Sequence, residues 1–140
     1  MGGRLVKTWS NSQGVTLSSG EAEYYGIVKG AGIAIGLQNM LKDFDVEMKI
    51  EIRTDASAAK GIANRRGLGK VRHMEVSQLW VQEKVSEGRI KIVKVKGEDN
   101  IADALTKHVD HDNIGRHMIG TRQRIADGRH ELAPTTATDT

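Results

Sequence analysis

The clearest periodicity begins at Ser18. Ser18-Ser19-Gly20-Glu21 has the S-x-x-E spacing of a capping box, in which a hydroxyl and a carboxylate serve the free N–H groups of a helix start. Tyr24, Ile27, Val28, Ala31, Ala34, Ile35 and Leu41 then recur at helical spacing, predicting a helix to about Lys42. Gly26, Gly30, Gly32 and Gly36 weaken it, unless close packing against a sheet calls for small residues there. Before this helix, residues 4–10 and 13–17 read as extended, with Thr8, Trp9, Val15, Thr16 and Leu17 as strand formers. After it, Met48 to Thr54 alternates strictly, as a strand with one buried face does. Met48, Ile50 and Ile52 share a face, and Lys49, Glu51, Arg53 and Asp55 share the other. A short helix is expected from Ala56 to about Asn64, and a glycine-containing basic loop from Arg65 to Val71. His73 to Glu87 reads as a helix with Val76, Leu79 and Trp80 inward, stopped by Gly88. Arg89 to Val95 is a strand, Gly97 a turn, and Asn100 to Lys107 the start of another helix. Strands alternating with helices predict an α/β chain.

Composition narrows the class. A chain of 140 residues with 38% apolar residues suits one modest core, and 4% aromatics means that aliphatic side chains fill it. There are no cysteines, which excludes a disulfide scaffold, a thiolate zinc site and a cysteine nucleophile. No window approaches the ~18 apolar residues of a membrane span. Met1 to Gln13 lacks the apolar stretch of a signal peptide. Leu132 to Thr140 is too polar to join a core and is expected to be disordered. The expected organisation is a folded domain over 1–108, a helix-like extension over 109–131 and a tail over 132–140.

The net charge of +3 is small, but its distribution is uneven. Between Ala56 and Met74 lie Lys60, Arg65, Arg66, Lys70 and Arg72, with His73 and no acid. Such a run suits a polyanion, or is simply a solvated face. Three acids stand at element ends. Glu23 is in the first turns of the long helix, Asp55 ends a strand, and Asp103 follows the last strand. Open α/β sheets bind ligands at strand ends, and converging carboxylates take hard divalent cations through oxygen. Singly, each reads as a solvated surface acid. His108 and His111 stand three apart with no obvious third ligand, and read as surface histidines.

The words around these acids form an ordered set: KTWSNSQ, LSSGEAEYYG, IRTDASAAKGIA, RHMEVSQLWVQEKVSEGRIKIVKV and GEDNIADALTKHV. Together they resemble the ribonuclease H domain at the end of the Pol polyprotein of copia-type retrotransposons. The likeness runs from Gly2 to about Lys107 and is expected to continue through HDNIGRHMIGT. It implies a ribonuclease H-like mixed sheet flanked by helices, hydrolysing the RNA strand of RNA–DNA hybrids. Two magnesium ions, or manganese in their place, would serve that reaction. It implies metal and catalytic roles for Glu23, Asp55 and Asp103, with Glu21 read instead as the cap partner of Ser18. Ser18 and Ser19 would meet a backbone phosphate, as helix N-termini attract anions. Arg65, Arg66, Lys70 and Arg72 would contact the nucleic-acid backbone. His73 would contact substrate or only open a helix. The reverse transcriptase and integrase regions of a Pol polyprotein are the implied partners. No membrane is implied, and the family points to an intracellular particle or the nucleus.

The departures from the resemblance are specific. The family's first metal-binding aspartate lies on its first strand, in a word like SDADWAG, and no such word occurs here. The expectation is therefore an N-terminally truncated domain, lacking the first, central strand and most of the second, with weak activity or none. Glu51 and Asp99 are the nearest acids to substitute for the missing one. Ala56 and Ala58 replace the Asn and Ser that often follow the aspartate, weakening polar contacts to nucleic acid. Two alternatives stand beside the enzyme reading: a non-catalytic remnant that binds nucleic acid through residues 60–72, and a fragment that does not fold alone.

Overall fold

A computed structural model describes residues 5, 7–10, 16–69, 76–105 and 108–123. In chain order these form α1 (Ser19–Lys42), β1 (Ile50–Thr54), α2 (Ser57–Ala63), α3 (Trp80–Ser86), β2 (Ile90–Lys94) and α4 (His111–Gly120). A 3-10 turn at Val76–Leu79 leads into α3, and two more at Gly97–Asp99 and Ile101–Leu105 follow β2. The described chain is thus mixed α/β, with four α-helices and a two-stranded parallel sheet.

The start of α1 follows from local chemistry. Ser18 is the N-cap, extended at φ −148°, and its hydroxyl accepts from the Glu21 N–H at 3.2 Å. Glu21 folds back so that its Oε2 accepts from the Leu17 N–H at 3.2 Å; the serine thus serves a first-turn N–H, and the glutamate serves the N–H just before the cap. α1 runs antiparallel to β1. Its C-terminal part meets the start of that strand, where Gln38 Nε2 donates to the Met48 carbonyl at 2.7 Å.

β1 and β2 pair in register, Ile50 with Ile90 through Thr54 with Lys94. Parallel strands need a crossover, and α2, the basic loop and α3 supply it. Ile50, Ile90 and Ile92 join Tyr24, Ile27, Val28, Ala31, Ala59, Ile62, Ala63 and Val81 in one buried cluster, with Ile52 packed against it. Fully burying an aliphatic side chain of that size stabilises the fold by about 1.5–3 kcal/mol. The opposite sheet face is polar: Glu51 pairs with Arg53 at 2.9 Å and reaches Lys91 at 4.0 Å. These pairs are exposed and add little stability.

Several expectations are revised. Residues 5, 7–10, 16 and 17, the described part of the two expected N-terminal extended segments, belong to no strand. β-propensity makes a strand only where a neighbour takes up its N–H and C=O groups. Trp9 is exposed instead, with the Lys7 ammonium 5.9 Å from its ring centre. The helix expected over 73–87 is a 3-10 turn followed by a short α-helix, and its residues 73–75 lie outside the described set. Val81 and Gln82 are its buried side chains, while Leu79 and Trp80 are half-buried. The helix expected from Asn100 is a 3-10 turn, because Asn100 bonds locally. Its Oδ1 accepts from the Ala102 N–H at 3.3 Å, and its carbonyl accepts from the Asp103 N–H at 3.1 Å. Gly30, Gly32 and Gly36 have open space where a Cβ would stand, whereas a Cβ on Gly20 would stand 2.9 Å from the Ala58 methyl. The tail over 132–140 and residues 124–131 of the expected extension lie outside the described residues, while α4 occupies the earlier part of that extension. Among the described residues, no helix is long and apolar enough to cross a membrane.

Candidate functional site

The end of β1 and the segment after β2 meet at one end of the sheet. Thr54, buried at the end of β1, turns the chain there: its Oγ1 accepts from the Ala56 N–H at 3.2 Å, and its carbonyl accepts from the Val95 N–H at 2.9 Å. Asp55 follows and is half-buried. The segment after β2 comes alongside it, since a Cβ on Gly97 would stand 3.6 Å from Asp55 Oδ2. Asp103 lies in the next 3-10 turn, half-buried, and its Oδ1 accepts from Asn100 Nδ2 at 3.0 Å. Asn100 thereby orients this carboxylate, a role that its place in the sequence does not announce.

The helix that carries the third acid packs on α2. Gly20 lies against Ala58 of α2, so the N-terminal turns of α1 sit beside the residues that directly follow Asp55. Glu23 is one turn further along α1 and exposed. Glu21, the competing acid of its motif, is buried at 3% exposure and engaged at the helix cap. Glu23 is therefore the acid of the pair left open to solvent. Oxygen donors of this kind suit hard divalent cations. Among the described residues, however, no three His, Cys, Asp or Glu side chains gather closely enough to hold a metal ion. The set as it stands falls short of a cation site among the described residues.

The serines and the basic run divide by role. Ser18 caps α1 while remaining exposed, and Ser19 is the exposed first residue of the helix. Arg65 is half-buried and turned into its own loop, where its guanidinium donates to the Leu68 carbonyl and lies over Gly69. Its Nε is buried without a hydrogen-bond partner. Arg66 is exposed. Lys70, Arg72 and His73 lie outside the described residues. Tyr24, inside the core, donates its hydroxyl to the Gln78 carbonyl at 2.7 Å, and burial pushes its phenol up to about 12 against a smaller downward pull from Arg65.

A residue that the apolar pattern does not single out organises the loop. Gln82 sits buried on α3 among apolar neighbours, and its amide bonds to the backbone of both α2 and the basic loop. Its only sequence signal is a polar residue next to Val81 on a short helix.

The chain is similar to the retrovirus-related Pol polyprotein from transposon TNT 1-94 of Nicotiana tabacum. The two are 29% identical over 110 residues, which cover 76% of this chain and 8% of that polyprotein. This supports an origin in a retrotransposon Pol polyprotein. The chain spans less than a tenth of that relative's length. No protein family's profile matches the chain, and no solved structure does.

Proposed function

We propose that this chain is ribonuclease H-derived, and that it supplies part of a site hydrolysing the RNA strand of RNA–DNA hybrids. The observation that carries the proposal is the gathering of the α1 start, the β1 end and the segment after β2 at one end of a parallel sheet. These elements bear Glu23, Asp55 and Asp103. The similarity to a Pol polyprotein agrees with it. Magnesium ions, or manganese, belong to the proposal as the cofactor of that reaction class. Because no three donors close around an ion among the described residues, a further acidic side chain is part of the proposal. It would come from another segment of a Pol polyprotein, whose reverse transcriptase and integrase regions are the proposed partners.

The same lack of a closed donor set favours a second reading, a module that binds nucleic acid without cleaving it. Arg66, with Lys60 in the same run, would then serve backbone contact alone.

The test measures magnesium-dependent release of RNA fragments from a labelled hybrid. It compares the 140-residue chain with the same chain joined to a Pol segment that carries an acidic strand. Weak cleavage by the first, strong cleavage by the second and loss on Asp55→Asn are the expected results. Hybrid binding without cleavage in either form would establish the binding module instead. Neither binding nor cleavage would refute both readings.

A further inference from the structure

The basic loop of 65–69 has two residues in the left-handed region, Gly67 at φ +76° and Gly69 at φ +58°. Ordering a short exposed loop costs backbone entropy at every residue, so some contact must offset it. Gln82 makes that contact. Its side chain, on a residue only 6% exposed, uses both ends of the amide. Oε1 accepts from the Gly67 N–H at 2.8 Å; Nε2 donates to the Gly67 carbonyl at 3.0 Å and to the Ile62 carbonyl at 2.8 Å. An amide side chain offers two N–H donors, and both are spent here on backbone. One buried group thus grips both polar atoms of Gly67 and ties them to the last turn of α2.

The grip falls directly after Arg66, because the Gly67 N–H belongs to the Arg66–Gly67 peptide. On its other side the loop is closed by Leu68, half-buried against the core, and by Arg65, whose guanidinium serves the Leu68 carbonyl. Arg65 is therefore committed to loop structure, and Arg66 is the exposed cation of the pair. The Gly67 N–H is also committed, so an anion at this loop would meet a side chain in place of that amide.

Resting on the nucleic-acid reading above, we propose that Gln82 is a positioning residue: it fixes the peptide after Arg66 and so presents the Arg66 guanidinium to a sugar–phosphate backbone. A preset loop loses less entropy on binding than one that orders only on contact. Gln82 itself never touches the nucleic acid.

The experiment titrates the full 140-residue chain with a mixed-sequence RNA–DNA hybrid at several salt concentrations. Wild type, Arg66→Gln, Gln82→Leu and the double variant are compared. Loss of one phosphate contact makes the slope of log affinity against log salt shallower by about 0.9. Gln82→Leu is expected to flatten the slope by at least half of what Arg66→Gln does, and the double variant to bind no more weakly than the weaker single. Amide exchange should quicken at 64–69 and stay unchanged in β1 and β2. Should Gln82→Leu fail to fold, Gln82→Met keeps the length of the side chain without adding charge, loses all three hydrogen bonds, and is read by the same criteria. Additive losses, or a wild-type slope in the Gln82 variant, would overturn this proposal while leaving hybrid binding intact. Failure of the wild-type chain to bind hybrid would overturn both this proposal and the reading beneath it.

Discussion

Tyr24→Phe removes one hydroxyl and leaves the buried ring in place. That hydroxyl joins α1 to the turn preceding α3, across 54 positions of sequence, through a 2.7 Å bond to the Gln78 carbonyl. A net hydrogen bond is worth about 1 kcal/mol, and a fully buried orphan acceptor would raise the loss toward about 3 kcal/mol. Gln78 is half-buried and not fully buried, so the lower figure applies. The expected loss of about 1 kcal/mol corresponds to a Tm lower by about 4 °C for a domain of this size. The variant also carries a pH signature. Burial raises the Tyr24 phenol from its ordinary 10.0 to about 12, with Arg65 opposing the shift. A folded-state value above the unfolded one means that this contribution is fully present below about pH 10 and is lost as pH rises toward about 12. The stability gap between wild type and Tyr24→Phe should therefore be constant from pH 7 to about 9 and narrow from about pH 10 upward. Urea unfolding followed by far-ultraviolet circular dichroism measures both variants at each pH, and the lysines common to both cancel in the difference. A gap that stays level through about pH 12, or no gap at neutral pH, would refute the buried, donating phenol.

Gly20→Val should cost about 1–3 kcal/mol by overpacking, because the added carbon meets the Ala58 methyl at 2.9 Å. Ala58→Gly in the same chain should recover at least half of that loss in chemical denaturation; strictly additive effects would show that the two helices do not touch there. Ser18→Ala should cost about 1 kcal/mol by removing the cap on the Glu21 N–H, while Ser19→Ala stays within about 0.5 kcal/mol. Equal losses for the two serines, measured by thermal unfolding, would contradict the assignment of the cap.

Much of the scaffold was legible in the sequence because its determinants are local. Ser18 and Glu21 are three residues apart, and they mark the start of α1 wherever the rest of the chain goes. The alternation of Ile50 to Thr54, the short helix after Asp55 and the strand before Gly97 likewise depend on neighbours in sequence. The turn at Gly97 is legible, but the residues from Asn100 form a 3-10 turn and not the expected helix, since one side chain, Asn100, competes for the backbone groups that a helix would use. The candidate acids are legible as element ends, but the packing of the start of α1 beside the residues after Asp55 is a tertiary fact. It depends on a contact between Gly20 and Ala58, which lie 38 positions apart. The division of labour between Arg65 and Arg66 was also invisible, because adjacent arginines look alike until a loop folds one inward. Gln82 shows the same limit. Its meaning lies in backbone atoms 15 and 20 positions away, and a buried amide is distinguished from a surface one only by the groups that the folded chain brings against it.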